Sequence, residues 1–357
     1  MSEPDSPDTI VRDTATRIFA DLADPQTLNA AKTDAWKAPL WAALEESGLT
    51  LAWVSEERGG AGAGLAEGFE VLRVAGHYAA PVPIAETLLA GHFLDAAGLD
   101  CPSGPLALAP VRLGDALTCD EEGTISGTAR AVPHAGDAKA VVVIAERGDE
   151  QVVALMAPGS FSAAPRGVDM GGERADLTFK DAIPVELAVA PEGWHADTPM
   201  LVGAAIRAVQ MTGALESVLA LSVRYAQERE QFGRPIAKFQ AVQHNLARLA
   251  GEVAAALAAS GSAADALSSG EAFGEALFLE IAAAKIRVGE AAAEGAAIAH
   301  QVHGAIGWTA EHTLQRYTRR LWGWRDDFGA ESHWAAMLGD MVTERGADAL
   351  WPLIAAR

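Results

Sequence analysis

The chain has 357 residues, 50% of them hydrophobic, which is enough apolar side chain for two to three packed domains and excludes a mainly disordered polymer. Its 27 basic residues against 48 acidic ones leave a formal charge of −21, so nucleic acid and anionic lipid are poor partners. Two cysteines, Cys101 and Cys119, supply neither a disulfide framework nor a cysteine-rich metal site, which suits a reducing cytoplasm.

The first fifteen residues are polar and acidic and lack an apolar core after a basic start. Alanine-rich stretches such as 281–299 are broken by Lys285, Arg287, Glu290 and Glu294, so no membrane span is expected and a cytoplasmic location is.

Residues 8–100 read as helical. Leu40, Trp41 and Leu44 recur at helical spacing up to Gly48; a glycine-rich break at 59–62 precedes a second helix over 65–77, and Pro81 and Pro83 force an extended link before a third near 85–97. From about 102 to 188 the period shortens. Ile125–Ala131 alternates, Ala140–Ala145 is a valine-rich run, and Gln151–Met156 and Ala175–Phe179 are further strands, with turns at 120–123 and 147–149. Long helices return at 200–230, 237–266 and 271–302, followed by a glycine-rich turn at 303–307 and a last helical section. The expected fold class is α+β, with an N-terminal α-helical domain (1–101), a middle β-barrel or sandwich domain (102–190) and a C-terminal four-helix bundle (191–357).

Two C-terminal segments carry a resemblance. YAQEREQFGRPIAKFQAVQ at 225–243, then QVHGAIGWTAEH at 301–312 with RYTRR at 316–320, resemble the flavin-binding signatures of the acyl-CoA dehydrogenase family. Trp36, Leu40, Leu44, Glu57, Gly59, Gly60 and Gly62 match that family's first-domain pattern, so the likeness covers nearly the whole chain. It implies FAD as cofactor, with the ADP half gripped by Arg229, Gln231, Phe232 and Gln240 from the first segment. Gln301, His303, Gly304 and Gly307 join them from the second. These residue types suit the task. Arg229 offers a planar charged fork, Phe232 an aromatic face, the glutamines hydrogen bonds to adenine or ribose, and the glycines close backbone approach. The resemblance also implies α,β-dehydrogenation of an acyl-CoA thioester, hydride transfer to flavin N5, electron-transferring flavoprotein as acceptor, a tetramer, and no metal.

The family's base is a glutamate either after the arginine-rich helix or at the start of the first long bundle helix. The first position falls here on Phe328, the second near Gly203, and neither is acidic. Asp327 is the nearest substitute and the candidate catalytic residue, with Asp326 and Glu331 behind it. Against that role, Asp326 and Asp327 read equally as a solvated acidic helix end paired with Arg325 or Arg320. The β-domain departs too. Leu106–Asp115 stands where the family has Thr-Glu-Pro-x-Ala-Gly-Ser-Asp, and Ala131-Val132-Pro133-His134 replaces Trp-Ile-Thr-Asn; Pro133 has no N–H to offer a flavin, whereas His134 can donate.

The ADP grip is thus kept while the ring side is altered, as expected of one chain in a heteromeric acyl-CoA dehydrogenase of fatty acid or sterol side-chain catabolism. The partner would be a heterotetramer's related chain. A self-sufficient homo-oligomer using Asp327 stands level with the heteromer as a form of the same dehydrogenase; a non-catalytic flavoprotein or assembly subunit, and an acyl-CoA oxidase or nitroalkane-oxidase-like enzyme, are the alternatives. Trp308, Trp322, Trp324 and Trp334 are expected in core or interface.

Overall fold

A computed structural model describes residues 7–170, 172–270 and 273–355, with the side chains of 7–9, 168 and 169 left aside. Residues 1–6, which open the polar N-terminal segment, 271–272 at the expected start of a bundle helix, and 356–357 lie outside the described residues.

Five helices come first: α1 (Pro7–Leu22), α2 (Pro25–Ala30), α3 (Lys37–Glu46), α4 (Leu65–His77) and α5 (Ile84–Ala96). Helix α2 starts because Asp24 accepts the Thr27 N–H at 2.8 Å and Pro25 sits in the first turn, where a missing N–H costs nothing. Helix α5 is buried almost throughout, including Glu86, a charge in an apolar helix that demands a partner.

Eight strands follow: β1 (Leu106–Ala109), β2 (Leu117–Cys119), β3 (Ile125–Pro133), β4 (Ala140–Arg147), β5 (Glu150–Met156), β6 (Ser162–Asp169), β7 (Gly172–Ala182) and β8 (Glu186–Val189). They form one sheet in the order β6-β7-β3-β2-β4-β5-β8, with β1 pairing parallel to β4. The valine-rich run of β4 is buried through Ala145, as a strand covered on both faces should be. Register shifts interrupt β3 between Ala129 and Val132 and β6 between Pro165 and Gly167. Such bulges leave a residue unpaired and re-aim its side chain.

The remaining elements are helical apart from one short hairpin: α6 (Thr198–Glu228), β9 (Glu230–Gln231), β10 (Arg234–Pro235), α7 (Gln240–Ser268), α8 (Glu275–His303), α9 (Leu314–Arg325), α10 (Glu331–Arg345) and α11 (Ala347–Ala355). Helix α6 is apolar enough to cross a membrane by composition, but 78% of its most apolar window is buried inside the protein. It packs against α4 at glycines: a methyl at Gly76 would meet the Gln210 carbonyl, and one at Gly213 the Arg73 carbonyl. That close crossing fixes α6 against the N-terminal helices, and one continuous core joins all three regions.

Candidate functional site

The two resemblance segments meet at the far end of α6. The Tyr225 ring stacks on His303 at 4.5 Å between centroids and stands edge-on to His312 at 6.1 Å, joining the ends of α6 and α8. Beyond Tyr225 the helix stops at Arg229, whose backbone turns extended (φ −76°, ψ 118°). The strands β9 and β10 then form a two-residue hairpin whose tip, Phe232 and Gly233, has φ of 53° and 78°. Two positive φ angles at the tip are what a tight hairpin turn needs. A phenylalanine there is strained, and its ring is 92% exposed.

Arg229, Gln231, Gln240, Gln301 and Gly304 are also exposed around this end. Arg229 meets no carboxylate within 4.0 Å among the described residues. Gln231 turns its amide onto the Glu230 carbonyl at 2.7 Å. His303 is buried: Nδ1 binds the Ala299 carbonyl at 2.8 Å, while Nε2 is buried without a partner. Burial pushes its pKa down to about 4, so the imidazole is neutral. Gly307 is buried as well, and a methyl there would crowd the His303 Cβ. His303 and Gly307 therefore shape the turn from beneath, and the exposed residues are the ones a ligand can reach.

The opposite end of α6 is closed. Phe328 is buried, and a methyl at Gly203 would run into its ring, so the two positions where the family places its base face each other as aromatic ring and glycine. Asp327 is fully buried and is not the solvated helix end that the sequence allows. One oxygen accepts Arg174 Nη1 at 2.7 Å; the other accepts Arg174 Nη2 at 3.1 Å and Arg207 Nε at 3.2 Å. Arg325 pairs instead with Glu331, at 2.6 and 3.0 Å.

Arg207 continues the network to Glu86 and, at 2.6 Å, to Gln210. Burial alone would raise the pKa of Asp327; Arg174 and Arg207 outweigh it and hold the carboxyl below its usual range. Glu86 behaves likewise through Arg207. Lys285, fully buried, donates to the carbonyls of Arg325 and Gly329 at 2.6 Å each and so brackets the segment bearing Asp327. The cavity between Glu86, Arg207, Pro133 and Phe328 measures about 10 Å³, barely the space of one water.

A wider cleft of about 480 Å³ opens on the other side of this segment, lined by Arg112, Arg130, Ala131, Arg166, Asp326 and Gly329 among others. Arg112 and Leu113 bring the departing 106–115 segment to its wall, and Ala131 brings the 131–134 segment. FAD thus fits the chain unevenly. The hairpin end offers an unpaired cation and an exposed aromatic face suited to an adenosine diphosphate. The ring end offers Ala131 for a tryptophan and Pro133 for a donor. His134 is half-buried and feels the Glu86 charge, burial keeping it neutral. Trp324 and Trp334 are buried, Trp322 half-buried, and Trp308, stacked on His300 at 3.7 Å, is exposed. No cluster of three or more metal-binding side chains occurs among the described residues.

Residues 192–323 match the family described as "Acyl-CoA dehydrogenase, C-terminal domain". "Acyl-CoA dehydrogenase IpdE2" of Mycobacterium tuberculosis is 31% identical over 318 residues, 88% of this chain and 90% of that protein. Among solved structures, the "Tcur3481-Tcur3483 steroid ACAD" is 26% identical with a TM-score of 0.82, covering 94% of this chain and 98% of its own. The "ChsE4-ChsE5 complex from Mycobacterium tuberculosis" shares the fold at 22% identity and a TM-score of 0.81, with 97% and 100% covered. The chain belongs to the acyl-CoA dehydrogenase family of flavoprotein oxidoreductases.

Proposed function

We propose that this chain is one subunit of an FAD-dependent acyl-CoA dehydrogenase built from two related chains. It holds the ADP half of a flavin, and a sister chain of the same fold supplies the carboxylate base and the flavin-ring loops. The observation that carries this reading is the closed end of α6, where Phe328 lies on Gly203 and Asp327 is saturated by two arginines.

A base must reach within roughly 3 Å of its proton. Asp327 has no free oxygen to extend and no cavity to extend into, so the self-sufficient homo-oligomer is set aside.

In this subunit Arg229 neutralises diphosphate charge, Phe232 lies against the adenosine, and Gln231, Gln240 and Gln301 hydrogen-bond its polar edges. Gly304 lets the backbone approach, while His303 and Gly307 set the turn. FAD, when bound, accepts the hydride from the β-carbon of the thioester. The sister's base removes the α-proton as hydrogen bonds to the thioester carbonyl stabilise the developing enolate charge. Electron-transferring flavoprotein is the acceptor and the cytoplasm the location. The likeness to a steroid ACAD named by two chains supports a tetramer of two chain types and a steroid-derived acyl group.

Native mass analysis of the active complex tests this. Two related chains in equal number are expected; a fully active assembly of this chain alone would overturn it.

A further inference from the structure

A different cleft, of about 630 Å³, lies where the N-terminal helices meet the bundle, within the roughly 300–1,000 Å³ of small-molecule sites. Four parts of the chain wall it. Ser217, Ala220, Leu221 and Arg224 recur at helical spacing, so one stripe of α6 runs along the cleft. Thr313 and Tyr317 line it from the start of α9. His77 and Tyr78 close it from the end of α4, and the turn between α1 and α2 closes the side.

Most polar groups on this wall are already spent. The Ser217 and Tyr317 hydroxyls both donate to the His77 carbonyl, at 2.6 and 3.0 Å, and so satisfy the end of α4. Asp24 accepts the Thr27 N–H at 2.8 Å and the Thr27 hydroxyl at 3.0 Å. Burial pushes the His77 imidazole below its usual pKa range against the pull of Glu216, so the ring is neutral.

Arg224 is different. It is exposed and meets no carboxylate within 4.0 Å among the described residues. Two further arginines on α9 add to its field. Arg316 has its Nε buried without a partner, and Arg320 donates to the Arg316 carbonyl at 3.0 Å. Both charges bear on the Tyr317 hydroxyl at the cleft wall. Leu221 and the rings of Tyr78 and Tyr317 give the same cleft an apolar side.

We propose that this cleft binds a small organic acid with an apolar body, its carboxylate on Arg224 and its body against Leu221 and the two tyrosine rings. A single guanidinium fork matches a single carboxylate, whereas a phosphate dianion would keep charge unmatched there. The site stands whichever chain carries the base and however the flavin is shared.

Calorimetric titration of the full chain with octanoate, phenylbutyrate, octanamide, acetate and inorganic phosphate tests it. Saturable binding of octanoate and phenylbutyrate is expected, about tenfold or more tighter than that of octanamide, acetate or phosphate. R224Q should weaken octanoate binding about tenfold, and R229Q should leave it unchanged, which separates the cleft from the hairpin end. A220W, which puts a large ring at an exposed position on the wall, should abolish it. No saturable binding of either acid would overturn the site. So would octanamide, acetate or phosphate binding as tightly as octanoate, or an octanoate affinity within about twofold of wild type in R224Q or A220W. Should R224Q fail to fold, A220W and the octanamide comparison carry the same test.

Discussion

The two ends of α6, about 45 Å apart by its 31 residues, carry opposite chemistry. At the C-terminal end, Arg229 and Phe232 are exposed, and Arg229 meets no carboxylate among the described residues. At the N-terminal end, Gly203 and Arg207 are buried, and every polar atom of the Arg207–Asp327 contact is spent inside the chain. Unpaired groups held at a surface by a strained hairpin mark a place for a ligand. A saturated buried ion network marks a place where the chain has completed itself. A charged residue near an expected catalytic position is therefore weak evidence for catalysis until its partners are known.

The largest effect should come from opening the closed end. Asp327→Ala removes the carboxylate shared by the buried Arg174 and Arg207, a loss on the order of 3–5 kcal/mol that denaturant unfolding would measure. An unchanged midpoint would mean that the network is not holding the three regions together. Gly203→Ala forces a methyl into the Phe328 ring and should cost about 1–3 kcal/mol. Combining it with Phe328→Leu should recover part of that loss, and strict additivity in the double variant would contradict the packing.

A smaller effect follows from His303. Its pKa is about 4 in the folded chain against 6.5 when unfolded, so the unfolded state takes up a proton first as pH falls. The stability it contributes is intact above pH 6.5 and declines through the window down to about 4, by about 2 kcal/mol after allowance for solvent near the ring. His303→Gln should flatten that part of the pH profile. Least of all, Arg229→Gln should shift folding stability by under about 0.5 kcal/mol, since no carboxylate among the described residues pairs with it. The same variant should weaken FAD binding roughly tenfold or more in the assembled enzyme, read by flavin retention on dilution.

Much of the fold is legible because hydrophobic period survives in it. Ala140–Ala145 and Gln151–Met156 lie within β4 and β5, and the three long bundle helices fall within a few residues of their expected ends. The short strands β1, β2 and β8 leave too few residues for a period to register. The hairpin-end residues are legible because they lie in two contiguous segments.

The closed end is not, because its partners are scattered: Arg174 and Arg207 reach Asp327 across 153 and 120 positions of sequence. One signal was present. Arg207 is the only charge between Thr198 and Leu215 in an apolar helix, and Glu86, in the first turn of α5, is the only charge before Asp95 near that helix's end. Lone charges in apolar helices demand buried partners of opposite sign, and those two are each other's.

The decisive measurement is anaerobic bleaching of the flavin band by a steroid-derived acyl-CoA, with this chain reconstituted with FAD alone and then with an equimolar sister chain. No bleaching is expected with this chain alone, and full bleaching in the mixture. Stoichiometric bleaching by this chain alone would contradict it and place the base among its own residues.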